Sequence, residues 1–248
     1  MKIGAQLYTV RNACKTPEAV AETLKRVADI GYRYVQISGV CQCDPTWLRA
    51  ELDKNGLSAP LTHVPEAQIL ENTEALIAEH DILGCKHIGI GGFKFVPSIP
   101  ERYKEFCTLY KPAAAKIAAE GKYFMYHNHA AEFQKLDGKT ILARLAEDFP
   151  AELMGFTLDT YWVQVGGGDP ADWLTRLAGR VPCIHLKDYA FGAVMSVVGE
   201  GNINFDRVFA AAEAAGTEFM LVEQDSCGED DPFDCLKRSY DFLHARGF

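Results

Sequence analysis

The sequence predicts an α/β protein, a single (β/α)8 TIM barrel, and three observations carry the prediction. Short apolar runs alternate with longer amphipathic stretches along all 248 residues, with no break in composition. The alternation completes eight rounds, and one barrel typically takes about 250 residues. The loop after the first run, Thr9-Val10-Arg11-Asn12, contains no glycine, whereas an open doubly wound sheet needs a glycine-rich phosphate loop there. Strands alternating with helices imply a parallel sheet. No linker or low-complexity tract interrupts the chain, so residues 1–248 read as one domain.

The first strand is Ile3 to Tyr8. Thr16-Pro17-Glu18 then opens a helix with a capping residue and a proline at its first position. Its apolar face is Val20, Leu24, Val27 and Ile30, and Gly31 ends it. Tyr34–Ile37 is the second strand, followed by a helix through Trp47, Leu48 and Leu52 that stops at Asn55-Gly56. Ser58–His63 and Lys86–Ile90 are the third and fourth strands, with helices over Thr73–Leu83 and Glu101–Glu120. Tyr123–His127 is the fifth strand, with a helix over Thr140–Ala146. Leu153–Leu158 is the sixth, and its helix opens at Asp169-Pro170. Cys183–Leu186 is the seventh, with a helix over Phe205–Ala215, and Phe219–Glu223 is the eighth, with a closing helix over Pro232–Ala245.

Composition narrows the function. A net charge of −9 argues against a nucleic-acid groove and against an anionic membrane surface. No stretch approaches the apolar length of a membrane span, and the N-terminus lacks the pattern of a signal peptide, so a cytoplasmic protein is expected. The eight cysteines are scattered, which in a reducing compartment predicts free thiols. Cys41-Gln42-Cys43 has no second pair to complete a zinc site.

In a parallel barrel the active site lies at the carboxyl ends of the strands. There the sequence places Gln6 and Tyr8 on the first strand, Gln36 on the second and His63 on the third. His127, His129 and then Glu132 follow on the fifth, and Asp159 and Trp162 on the sixth. His185, Lys187 and Asp188 end the seventh, and Glu223 the eighth. Capping of the next helix explains an isolated aspartate, but not His185 and Glu223, which directly end apolar strands. Strand alternation groups Leu221 with Glu223: with Leu221 inside the barrel, Glu223 points to its mouth. Carboxylates and an imidazole converging on one spot need a cation to offset their repulsion. Glu132, Asp159, His185 and Glu223 are the expected ligands of one divalent ion. An oxygen-rich set of this kind suits Mn²⁺ first, with Mg²⁺, Co²⁺ or Zn²⁺ as alternatives. His80 and His244 fall within helices and His87 opens a strand at the opposite end, so these three read as structural.

At these residues the chain resembles the xylose isomerase-like sugar phosphate isomerase/epimerase barrels. The matching segments are Gly4-Ala5-Gln6-Leu7-Tyr8-Thr9-Val10-Arg11, Tyr126-His127-Asn128-His129-Ala130-Ala131-Glu132-Phe133, Leu158-Asp159-Thr160-Tyr161-Trp162, Gly167-Gly168-Asp169-Pro170, His185-Leu186-Lys187-Asp188, Gly199-Glu200-Gly201-Asn202-Ile203 and Val222-Glu223-Gln224-Asp225. The resemblance implies a metal site of Glu, Asp, His and Glu from the fifth to the eighth strands. Asp159, His185 and Glu223 match it. The fifth strand carries no carboxylate, so either Glu132 reaches back or His127 or His129 takes its place. Gln36 stands where many relatives carry glutamate.

The resemblance implies a metal-dependent isomerase or epimerase of a ketose or related carbohydrate. Glu223 and Glu132 would be the bases, and Lys187 a further catalytic group. Gln6, Tyr8, Gln36, His63, His127, His129, Trp162 and Asp188 are the expected substrate contacts. The alternative is a metal-dependent lyase or dehydratase on a 3-keto sugar or keto-glycoside, of the inosose dehydratase kind. That chemistry begins with the same proton abstraction and then expels a leaving group. An abasic-site endonuclease and a non-catalytic sugar-binding barrel rank lower, because the charge is wrong for DNA and a binder needs no ligand cluster. The expected partner is a small carbohydrate, with no nucleic acid or membrane, and the resemblance points to a dimer or tetramer of identical chains.

Overall fold

A computed structural model describes residues 1–95 and 99–248. Eight parallel strands close into a barrel in the order first, eighth, seventh, sixth, fifth, fourth, third, second. They are Lys2–Gln6, Tyr34–Ile37, Ser58–His63, His87–Ile90, Tyr123–His127, Met154–Asp159, Cys183–Leu186 and Phe219–Val222. Long helices alternate with them, so the predicted (β/α)8 TIM barrel is the observed fold.

Helix starts follow local chemistry. The Thr16 hydroxyl accepts from the Ala19 amide at 3.3 Å and the Asp44 carboxylate from Trp47 at 2.9 Å, each followed by proline at the first helical position. Both devices satisfy or remove amides that a helix start leaves unpaired. The strand–helix loops hold elements that periodicity does not signal. These are two 3₁₀ turns, Leu7–Ala13 and Ala130–Phe133, two short helices, Glu66–Glu71 and Thr160–Val165, and two small hairpins. One hairpin pairs Lys135–Leu136 with Lys139–Thr140, the other Asp188–Ala190 with Val194–Ser196.

The barrel interior explains where the site sits. Leu61, Met125, Cys183, Phe219 and Leu221 pack together inside the ring. Two residues further along each strand the side chain returns to the same face, and there the sequence turns polar. Leu61 is followed by His63, Met125 by His127, Cys183 by His185 and Leu221 by Glu223. Asp159 is directly beside His185 in register, as Gln6 is beside Gln36. One apolar layer thus carries one polar layer at the carboxyl end. The fourth strand contributes only backbone at this level: a Cβ on Gly89 would come within 2.8 Å of His63 Cδ2, so glycine there gives the imidazole its room.

Candidate metal centre and active site

His127, Asp159, His185 and Glu223 each offer one ligand atom, and these atoms lie within 4.8 Å of one another. All four side chains are buried. His185 Nδ1 and Glu223 Oε2 are 2.8 Å apart, and His185 Nδ1 makes no hydrogen bond. A buried imidazole nitrogen without a partner, inside a set of two imidazoles and two carboxylates, fits a divalent cation, because such an atom is costly unless something satisfies it.

The imidazoles are held by their far nitrogens. His185 Nε2 is 2.6 Å from Gln36 Oε1 and His127 Nδ1 is 3.0 Å from the Gly91 carbonyl. Each ring donates a proton to an oxygen there, which turns His185 Nδ1 and His127 Nε2 toward Asp159 Oδ2, at 3.6 Å and 3.2 Å. Metal-bound histidines are commonly fixed this way. Gln36, expected as a substrate contact, thus orients His185 through its carbonyl oxygen. Gln36→Leu should weaken divalent-metal binding about 10–100-fold, read by competition against a chelating dye. An unchanged affinity would show that His185 needs no such partner.

The carboxylates are equally constrained. Asp159 Oδ1 accepts from the Trp162 amide at 2.9 Å, and the Asp159 amide donates to Asn128 Oδ1 at 3.1 Å. Gln6 Nε2 donates to Glu223 Oε1 at 3.1 Å, while Gln6 Oε1 accepts from the Tyr8 amide at 2.8 Å. Lys187, 1% exposed, places Nζ 3.0 Å from Asp159 Oδ2, 2.8 Å from Glu223 Oε2 and 3.0 Å from Asp225 Oδ2. Burial alone would raise the two carboxyls, but Lys187 and the histidines outweigh it and hold Asp159 and Glu223 below the ordinary carboxylate range. Groups depressed in the folded state give stability that is present above their unfolded values and lost as pH falls through them. Chelator-treated protein should therefore lose thermal stability on acidification below about pH 5. A melting temperature flat from neutrality down to about pH 3 would contradict this.

Above the cluster opens a cavity of about 620 Å³. Gln6, Tyr8, His63, His127, His129, Lys187 and Glu223 all line it. Burial is the first cause that lowers His63 and His129, with His127 adding to it, and His129 is pushed down to about 3. Both are neutral imidazoles at physiological pH. Trp162 lies behind His129, ring centroids 5.3 Å apart, and beside Lys187, whose Nζ is 5.8 Å from the indole.

Two expected site residues do other work. Glu132 was expected as a ligand and base, but its Oε1 accepts from the Tyr126 hydroxyl at 2.6 Å and its Oε2 from the His129 amide at 2.8 Å. Both oxygens are engaged by the 3₁₀ turn and the strand before it, and His127 from that strand is the fourth member of the cluster. Glu132→Ala should destabilise the protein by about 1–3 kcal/mol, the cost of the buried donors it leaves unpaired. The purified variant should still bind one divalent ion per chain by elemental analysis, and loss of the ion would reinstate Glu132 as a ligand. Asp188 was expected at the substrate. Its carboxylate instead accepts from the amides of Tyr189, Gly199, Gly201 and Ile203 at 2.8–3.1 Å. A Cβ on Gly201 would fall 2.5 Å from Asp188 Oδ1, so the glycines let this loop wrap the acid.

Sequence reasoning missed Asn128, Arg11 and Asp225. Arg11 and Asp225 line the cavity. Asn128 and Asp225 follow strand ends, which was the available signal, whereas Arg11 lies in the 3₁₀ turn after the first strand. Cys41 and Cys43 place their sulfurs 3.7 Å apart, and all eight cysteines are free. Among the described residues, no helix is long and apolar enough to cross a membrane.

Known proteins resemble this chain in sequence or in fold. The inosose dehydratase of Geobacillus kaustophilus (strain HTA426) is 25% identical over 259 residues, a match spanning 85% of this chain and 80% of that protein. A sugar phosphate isomerase/epimerase from Parabacteroides distasonis ATCC 8503 superposes with a TM-score of 0.85 at 20% identity, covering 99% of this chain and 94% of the other. The probable 3-DHS dehydratase AsbF of Bacillus anthracis superposes with a TM-score of 0.77 at 14% identity over the whole of both chains. At these identities the structural likenesses speak for the fold alone. The family model that describes the xylose isomerase-like TIM barrel matches residues 24–245, a span that holds the second to eighth strands and all four clustered ligands. This chain belongs to the xylose isomerase-like TIM barrel family.

Proposed function

We propose that the protein is a divalent-metal-dependent lyase that eliminates water or an alcohol from a carbohydrate bearing a ketone β to the leaving oxygen. The observation that carries this is the contact between Lys187 Nζ and Glu223 Oε2 at 2.8 Å. One carboxylate base and one ammonium acid stand on the same wall of the cavity. Epimerisation by two bases needs them on opposite faces of the sugar, and Glu132, the candidate for the second, is locked in its turn.

His127, Asp159, His185 and Glu223 would hold the ion. With two imidazoles among the four, Mn²⁺, Co²⁺ and Zn²⁺ suit the set better than Mg²⁺, which prefers oxygen, and Mn²⁺ is our choice. A bound divalent ion supplies Lewis acidity that makes a neighbouring ketone a better electron sink. Glu223 removes the proton on the carbon beside the ketone. The electron pair of that C–H bond becomes the new C=C bond as the β C–O bond breaks. The departing oxygen takes a proton from Lys187. Glu223 is then neutral and carries one proton, and Lys187 is a neutral amine. Their direct contact returns that proton and restores both charges. Neutral His63 and His129 face the sugar as hydrogen-bond partners. A similarity to an inosose dehydratase agrees with this chemistry.

The test is NMR of Mn²⁺-loaded protein with 3-keto-glucosides in D₂O. Release of the alcohol with formation of an unsaturated ketone is the expected result. Deuterium exchange or interconversion of free ketoses without release would return the protein to the isomerases and epimerases.

A further inference from the structure

The catalytic cavity is larger than one sugar ring needs: about 620 Å³ falls in the range of about 300–1,000 Å³ that holds drug-sized ligands. Its chemistry is divided. The buried part is polar, lined by Gln6, His127, Lys187 and Glu223. The more exposed part is lined by Tyr8, Val40, Val64 and Pro65, with Arg11 beside them.

Arg11 is committed. Its Nη1 donates to the Tyr8 carbonyl at 2.8 Å and its Nη2 to the Asp225 carbonyl at 3.0 Å. Its guanidinium lies over the Tyr8 ring, 4.2 Å from the centroid. Gly39, at φ +69°, presses on the same ring, because a Cβ there would be 2.7 Å from Tyr8 Cδ2. Tyr8 remains 37% exposed, a ring held in place at the rim with its edge available. Lys187, the other cation lining the cavity among the described residues, is surrounded by Asp159, Glu223 and Asp225. The charge of Lys187 is taken up by three carboxylates, and those carboxylates would repel a phosphate.

We propose that the Tyr8–Val40–Val64–Pro65 part of the cavity is a binding site for an uncharged apolar aglycone. This rests on the lyase reading and names its substrate class: an unphosphorylated keto-glycoside whose sugar sits at the cluster and whose leaving group is an aromatic or aliphatic alcohol. Flat apolar groups gain from burial against an aromatic ring and aliphatic side chains, and the cavity is continuous with the reacting end, so one ligand fills both parts.

The experiment separates the two readings. Mn²⁺-loaded protein is titrated calorimetrically with phenyl and methyl β-glucosides, which lack the ketone and do not react, and with glucose and glucose 6-phosphate. The phenyl glucoside should bind about tenfold more tightly than the methyl. Tyr8→Ala and, as a second variant, Val64→Asp should each bring that ratio close to one. Equal binding of the two glucosides, a ratio that survives both variants, binding of neither, or a clear preference for the phosphate ester overturns the aglycone site. The 3-keto forms of the same glucosides are then assayed for alcohol release. A phenyl preference without release supports the site and sinks the elimination. Release without the preference sinks the site and leaves the elimination standing.

Discussion

Lys187→Met should reduce turnover by about 10²–10⁴-fold, the usual contribution of a positioned acid, while tightening the binding of the divalent ion. The two effects have one origin. Lys187 Nζ shares Asp159 Oδ2 and Glu223 Oε2, at 3.0 Å and 2.8 Å, with the metal cluster, so the ammonium and an ion draw on the same oxygens and repel each other. Methionine keeps the volume and removes the charge. In chelator-treated protein the same change should cost about 3–5 kcal/mol, because it strips the counter-charge from two fully buried carboxylates. Added Mn²⁺ should restore most of that stability. Turnover, metal affinity by dye competition and unfolding with and without Mn²⁺ decide it. Wild-type turnover together with wild-type affinity would make Lys187 a bystander.

The barrel and three of the four clustered residues were legible because both rest on strand periodicity. Asp159, His185 and Glu223 end apolar strands, and the residue two before each points into the barrel. That rule also selects His127, two after Met125, and it outranks a carboxylate that merely lies near by. Glu132 was misread because charge suggested a ligand while its partners, the Tyr126 hydroxyl and the His129 amide, are set by a turn with no periodic signature. Its spacing three after His129 is that of a capping box, in which the third residue reaches back to the amide that opens the turn. Asp188 was misread for another reason. Two of its amide partners, Gly201 and Ile203, stand 13 and 15 residues away. Gly199-Glu200-Gly201 was the trace of that wrapping, since only glycine lets backbone approach a carboxylate so closely.

Glu223→Gln tests the base directly, and its expected result is a fall in turnover of about 10²–10⁴-fold with the fold retained. The amide keeps the shape of the acid, and its oxygen can still accept from Gln6 Nε2, as Glu223 Oε1 does at 3.1 Å. What disappears is the negative charge that abstracts the proton. The substitution also removes a ligand charge, so the assay is run at Mn²⁺ concentrations that saturate the variant. Loss of metal affinity then cannot pass for loss of the base. Deuterium exchange at the carbon beside the ketone gives the sharper reading. If Glu223 is the base, exchange and alcohol release stop together, because the C–H bond no longer breaks. If exchange persists in Glu223→Gln while release fails, another group takes the proton. The candidates are then His63 and His129, neutral imidazoles facing the same cavity. In that case Glu223 serves the ion alone, and a base standing across the cavity from Lys187 would bring the chemistry nearer to that of a two-sided isomerase.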